Sequence, residues 1–176
     1  MISTSRETGE TRVEASLEIL GSGQAEVETG VEMLDFLLST LVEAGRFDLT
    51  VTTRGDLETG DHHTVEDVGI TLGLLLSRLN GRGTGSSTVP SRDCLAGAAV
   101  RFGESCFKGD FEFQSRDLGD MTTENFSHLL RSLAYNGRLT LHLWANGGDD
   151  LRRAEAMMAA LGRALKRALL DGETQA

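Results

Sequence analysis

The chain repeats itself, which confines it to two copies of one supersecondary unit packed together. Residues 11–20 and 24–29 alternate like strands about Gly21-Ser22-Gly23, a pattern that predicts a hairpin. Met33, Leu34, Leu37, Leu38 and Leu41 recur at helical spacing over residues 32–44, and the run stops at Gly45. Residues 46–54 alternate again. Val65, Val68, Leu72, Leu75, Leu76 and Leu79 then mark a long helix that ends near Asn80-Gly81. The order is ββαβα. It returns as a strand pair at 94–102 and 105–114, a helix at 123–136, a strand at 138–145 and a helix at 150–170. The letters repeat too. Gly45-Arg46-Phe47 comes back as Gly137-Arg138-Leu139, and a shift of 89 places Glu66 on Glu155, Leu72 on Leu161, Gly73 on Gly162 and Leu76 on Leu165. Two half-repeats are expected, 1–82 and 89–176, forming one compact unit. Residues 81–88 (GRGTGSST) read as the linker between them.

Composition bounds the function. The 176 residues are enough to bury a real core, and 39% hydrophobic with 25% charged residues marks a globular chain. A net charge of −10 argues against nucleic acid, whose binders present a basic face. No run approaches the roughly 20 apolar residues of a membrane span. Residues 1–10 are polar and lack a signal-peptide core, so a cytoplasmic protein is expected. Cys94 and Cys106 lack CxxC spacing and are expected as two reduced thiols in strands.

Chemistry concentrates in Asp61-His62-His63-Thr64-Val65-Glu66-Asp67. On a helix, His62/Glu66 and His63/Asp67 are i,i+4 pairs and His63/Glu66 is an i,i+3 pair, so each pair shares a face. An imidazole and a carboxylate on one face grip a transition metal or pass a proton. Asp61 suits an N-cap, and Glu66 lies in the early turns, where the helix dipole favours acids. The other histidines are His128, on a helix at the repeat position of Phe36, and His142, in an alternating strand. His128 is expected as a surface histidine or a compensating ligand, and His142 as a satisfied or half-buried histidine. Glu155 is expected to face solvent and pair with Arg152 or Arg153.

Several motifs in order resemble the imidazoleglycerol-phosphate dehydratase family, the manganese-dependent dehydratases of histidine biosynthesis. GDLETGDHHTVEDVGITLG is similar to that family's HHTxED signature, and Arg6 to Thr11 to its RxTxET opening. Thr29-Gly30 with Leu34-Asp35, Leu139-Thr140-Leu141-His142 and Glu155-Ala156 resemble its TG…LD, LTLH and HHxxEA segments. The resemblance implies an α+β fold of the ribosomal S5 domain 2-like kind, with helices sandwiched between two small sheets. It implies manganese between subunits, with His62, His63, Glu66 and Glu155 as metal ligands. It implies Glu10 and Glu66 as catalytic carboxylates. It also implies a homo-oligomer built on trimers, up to a 24-subunit shell.

The chain departs from the family where the chemistry lies. Phe36, Ala44, Leu151 and Arg152 stand where the family has histidines, Asp149 stands for an asparagine and Ala159 for a lysine. The PMDE and SGR segments are altered at Pro90 to Asp93 and around Gly103 to Ser105, and an arginine is missing from 84–88. Four histidines cannot fill two histidine-rich sites, and Arg152 puts a permanent cation where a ligand should be. Three readings follow. The first is a degenerate scaffold that co-assembles with an authentic dehydratase subunit and lends it His62, His63 and Glu66. The second is a working hydro-lyase with a remodelled site. The third is a metal-free oligomeric scaffold or binding protein.

Overall fold

The computed structural model describes residues 1–55 and 61–174. The first half runs β1 (Ile2–Glu7), β2 (Thr11–Glu18), β3 (Ala25–Glu28), α1 (Glu32–Gly45), β4 (Asp48–Gly55) and α2 (His62–Arg78). The second runs β5 (Thr84–Ser91), β6 (Cys94–Phe102), β7 (Cys106–Asp110), a short pair β8 (Asp117–Leu118) and β9 (Met121–Thr122), α3 (Thr123–Asn136), β10 (Leu139–Asn146) and α4 (Asp150–Thr174). Each half builds a four-stranded sheet, in the orders β1-β2-β4-β3 and β5-β6-β10-β7. In each sheet one edge strand, β3 or β7, pairs parallel with its neighbour while the other pairings are antiparallel. Alternation drives this: Val13, Ala15 and Leu17 of β2 and Leu139, Leu141 and Leu143 of β10 point inward and are buried. Helices α1 and α2 lie on the first sheet, and α3 and α4 on the second. Across the middle α2 packs on α3 and α1 on α4, so the helices fill the space between the sheets around one core. The α+β sandwich of two similar halves is as expected.

The strand pairings differ from the sequence reading. The segments at 11–20 and 24–29 are not a hairpin, because β4 lies between β2 and β3. The glycines at 21 and 23 instead wrap the chain around Asp48, whose Oδ1 accepts from the backbone N–H of Ser22, Gly23 and Gln24 at 2.8–3.1 Å. The real hairpin joins β2 to β1, which the sequence reading omits. In the same way β10 separates β6 from β7. The expected linker at 81–88 is largely β5, whose Gly85 lies so close to α4 that a Cβ there would meet the Ala164 carbonyl at 2.1 Å. Each half is therefore βββαβα, with β8 and β9 added in the second. Cys94 and Cys106 are free thiols in strands, as expected.

Glycine sets the distance between the halves. A Cβ at Gly162 of α4 would lie 2.1 Å from the Leu41 carbonyl oxygen of α1, and one at Gly73 of α2 would lie 2.8 Å from the Leu133 carbonyl oxygen of α3. Gly45 also serves approach rather than helix termination: the left-handed residue after α1 is Arg46, at φ 54°. Alanine ordinarily gains up to about 1 kcal/mol over glycine inside a helix. At position 162 the obstacle is backbone, which cannot rotate away, so overpacking wins. Gly162→Ala is expected to lower urea-unfolding stability by about 1–3 kcal/mol. Gly9→Ala, with open space at its Cβ, should stay within about 0.5 kcal/mol of the parent.

Candidate functional site

The start of α2 meets the start of α3 and the β1–β2 turn. Asp61 holds the cap position, where its carbonyl accepts from Val65 N–H at 2.9 Å. Its carboxylate makes no capping bond, and Oδ2 is buried without a hydrogen-bond partner. His62 Nδ1 stands 2.9 Å from Oδ1 of Asn125, a buried side chain in the first turn of α3. With that amide oxygen accepting from Nδ1–H, the imidazole lone pair falls on Nε2. Nε2 is 3.8 Å from Glu66 Oε2, too far for a hydrogen bond and close enough for both atoms to face one cation. The ring of His128 meets that of His62 edge-on, with centroids 4.9 Å apart, and His128 Nε2 is 3.5 Å from Glu124. His63 turns the other way, with Nδ1 at 2.9 Å from Glu10 Oε2, within proton-transfer reach.

Asp67 fixes this geometry from beneath. It does not face His63 as its i,i+4 spacing suggests; it is buried. Its Oδ1 accepts from Arg6 Nε at 3.0 Å and lies 3.0 Å from Nη2, and its Oδ2 accepts from the hydroxyls of Thr11 and Thr8. A buried carboxylate demands such partners. Meeting that demand ties the Thr8–Thr11 turn to α2 and sets Glu10 against His63.

The sequence-derived residues thus separate. Glu10, His62, His63 and Glu66 come together, with Glu10 and both histidines exposed. Glu155 is exposed on α4, in the other helix pair, and makes no ion pair among the described residues. Its expected partners are engaged elsewhere, Arg152 toward Asp93 and Arg153 on Asp150 and the carbonyls of Gly147 and Glu112. His142 projects from the outer face of the second sheet, opposite the helices. His128 is the residue underrated by sequence reasoning; its repeat relation to Phe36 was the available signal. The acidic, glycine-containing stretch at 56–60 that precedes the histidines lies outside the described residues.

Among the described residues, a full set of manganese ligands is not assembled within one chain. Nε2 of His62 and Glu66 supply a nitrogen and an oxygen, and Asp61 Oδ2 is an orphaned acceptor one residue away. Among the described residues no three of His, Cys, Asp and Glu are grouped to hold an ion. At the corresponding start of α4 the repeat puts Leu151 for His62 and Arg152 for His63. No helix of the described residues is long and apolar enough to cross a membrane.

Residues 29–165 match the family model for imidazoleglycerol-phosphate dehydratase. The chain belongs to the imidazoleglycerol-phosphate dehydratase family. It is 40% identical over 164 residues to the Methanocaldococcus jannaschii imidazoleglycerol-phosphate dehydratase, covering 91% of this chain and 83% of that one. With the Methanothermobacter thermautotrophicus enzyme it shares 39% identity over 170 residues, 93% and 88% of the two chains. In three dimensions it is similar to imidazoleglycerol-phosphate dehydratase from Staphylococcus aureus, with a TM-score of 0.83 at 24% identity over 96% of this chain and 98% of that one. The Pyrococcus furiosus protein in complex with (S)-C348 superposes with a TM-score of 0.79 at 25% identity, over 94% and 93%. Within the chain itself, His62-His63 at the head of α2 has Leu151-Arg152 as its repeat counterpart at the head of α4.

Two predictions concern the supports of the site. Asp67→Ala leaves Arg6 uncompensated, so thermal and urea unfolding should show a loss of about 2–3 kcal/mol, the partial exposure of Arg6 reducing the full cost of a broken buried pair. Arg101→Ala, in an exposed pair, should change little. Asp150 anchors the start of α4. Burial alone raises its carboxyl pKa, but the N–H groups of Gln114 and Ser115, with Arg153, outweigh it and hold the value below the ordinary range. A folded pKa below the unfolded one stabilises at higher pH and is lost on acidification. The stability gap between wild type and Asp150→Asn should therefore be full near neutrality and shrink as pH falls below about 4.

Proposed function

We propose that this chain is an imidazoleglycerol-phosphate dehydratase scaffold that keeps one donor arc, His62, Glu66 and His128, with the Glu10–His63 pair beside it. On its own it does not dehydrate imidazoleglycerol phosphate at an enzyme-like rate. The observation that carries this reading is Leu151-Arg152 at the head of α4, where the repeat has His62-His63 at the head of α2. Leucine has no donor, and arginine brings a fixed positive charge that opposes a divalent cation. Any manganese held at His62 and Glu66 has to draw its remaining ligands from another chain. That requirement supports an oligomer, and the family resemblance makes it trimer-based, up to a 24-subunit shell, and cytoplasmic. In it this chain co-assembles with an authentic dehydratase subunit that supplies the missing histidines.

One observation favours a second reading, a working hydro-lyase with a remodelled site. The Glu10–His63 contact at 2.9 Å is a proton-transfer pair left intact. The test is to purify the chain alone and after co-expression with an intact family enzyme, load both with manganese, and assay dehydration of imidazoleglycerol phosphate. The first reading expects no turnover alone and a mixed particle on co-expression. Turnover by the chain alone, abolished in Glu10→Gln, would establish the second. Failure to co-purify, with particle size unchanged by chelator, would leave a metal-free scaffold.

A further inference from the structure

The two helix pairs are repeat copies, so one molecule carries its own comparison. A shift of 92 takes α1 onto α3, placing Leu41 on Leu133, Gly45 on Gly137 and Arg46 on Arg138; the two arginines share the left-handed conformation, at φ 54° and 53°. The shift of 89 takes α2 onto α4, and the equivalent glycines 73 and 162 meet the equivalent carbonyls of Leu133 and Leu41. Sequence register and backbone contact therefore agree on which residues correspond.

On that correspondence the imidazoles of the α2/α3 arc and the amide that holds one of them are replaced together in the α1/α4 arc, while the acids Asp61, Glu66 and Glu124 persist as Asp150, Glu155 and Glu32. His62 becomes Leu151, His128 becomes Phe36, and Asn125, the amide on His62 Nδ1, becomes Met33. Both imidazoles turn to hydrocarbon, and the group that would orient an imidazole turns to a thioether, a soft and weak ligand. Core packing does not account for the exchange, because Leu151 and Phe36 are 45% and 42% exposed. Of the acids that persist, Asp150 is taken up by the N–H groups of Gln114 and Ser115 and by Arg153, and exposed carboxylates without an imidazole are a poor site by themselves. Arg152, three residues before Glu155, adds a like charge to any incoming cation.

We infer that the α1/α4 arc does not take a divalent cation, so that each chain offers one cation-accepting arc instead of two. The count of one rests on the reading of the α2/α3 arc given above; the loss at α1/α4 stands on the internal comparison. The test uses the full chain, stripped with chelator, reloaded with Mn²⁺ alone, and analysed for ions per chain after gel filtration. Wild type is compared with Glu66→Gln, Glu155→Gln and the triple variant Met33→Asn/Phe36→His/Leu151→His, each checked for fold and particle size. Wild type is expected to hold no more than one ion per chain. Glu66→Gln should lose any ion that the wild type holds, Glu155→Gln should match wild type, and the triple variant should hold one ion more than wild type. Two ions per wild-type chain, an ion lost in Glu155→Gln, or a folded triple variant that gains none would overturn the inference. A wild type that binds none, beside a triple variant that binds one, would remove the donor arc proposed above and still support the loss at α1/α4.

Discussion

The close approach of helix backbones between the halves is the constraint from which the rest follows. With no side chain at positions 73 and 162, the carbonyls of Leu133 and Leu41 come into contact distance, and α2 seats on α3 as α1 does on α4. Packing of this kind leaves little freedom, because interiors are close to crystal density and a single methyl is felt. The seating of α2 on α3 brings His62 to Asn125 and His128, more than sixty residues away along the chain. The same seating at α1 and α4 presents Met33, Phe36 and Leu151 where the other pair has Asn125, His128 and His62. One mode of packing thus yields an arc with imidazoles in one place and an arc without them in the other, and only the side chains differ.

A second dependency runs through Asp67. Glu66 and Asp67 are neighbours in the motif, yet rotation by about 100° per residue sends them to different tasks. Glu66 looks to His62 at the surface, while Asp67 is buried on Arg6 and the threonines of the β1–β2 turn. Burial makes that network expensive to break. The turn it holds carries Glu10, so a charge pair in the interior governs the placement of an acid at the surface.

The helices were legible in the sequence because apolar residues at 3.6-residue spacing leave a clear trace: Leu34, Leu37, Leu38 and Leu41, or Phe126, Leu129, Leu130 and Leu133, are all buried. The edges of the sheets were not. β1 and β5 are rich in serine and threonine, and one face of each is in solvent, so they read as polar tail and linker. The pairing of β3 with β4 escaped for a different reason. A parallel neighbour comes through a crossover and leaves no turn signal, whereas the adjacent Gly21-Ser22-Gly23 imitated a hairpin while serving Asp48.

What the sequence by itself determined is the inventory and its symmetry: two similar halves, a histidine pair at the head of one helix, and leucine and arginine at the head of its counterpart. Those are facts of composition and register, and no folding is needed to read them. Only the tertiary structure decided which residues act together. It set His128 beside His62, turned His63 to Glu10 and buried Asp67 on Arg6. The first two contacts and the last join different elements far apart in the chain, and local periodicity carries information about the face a residue occupies but none about the element that will cover it.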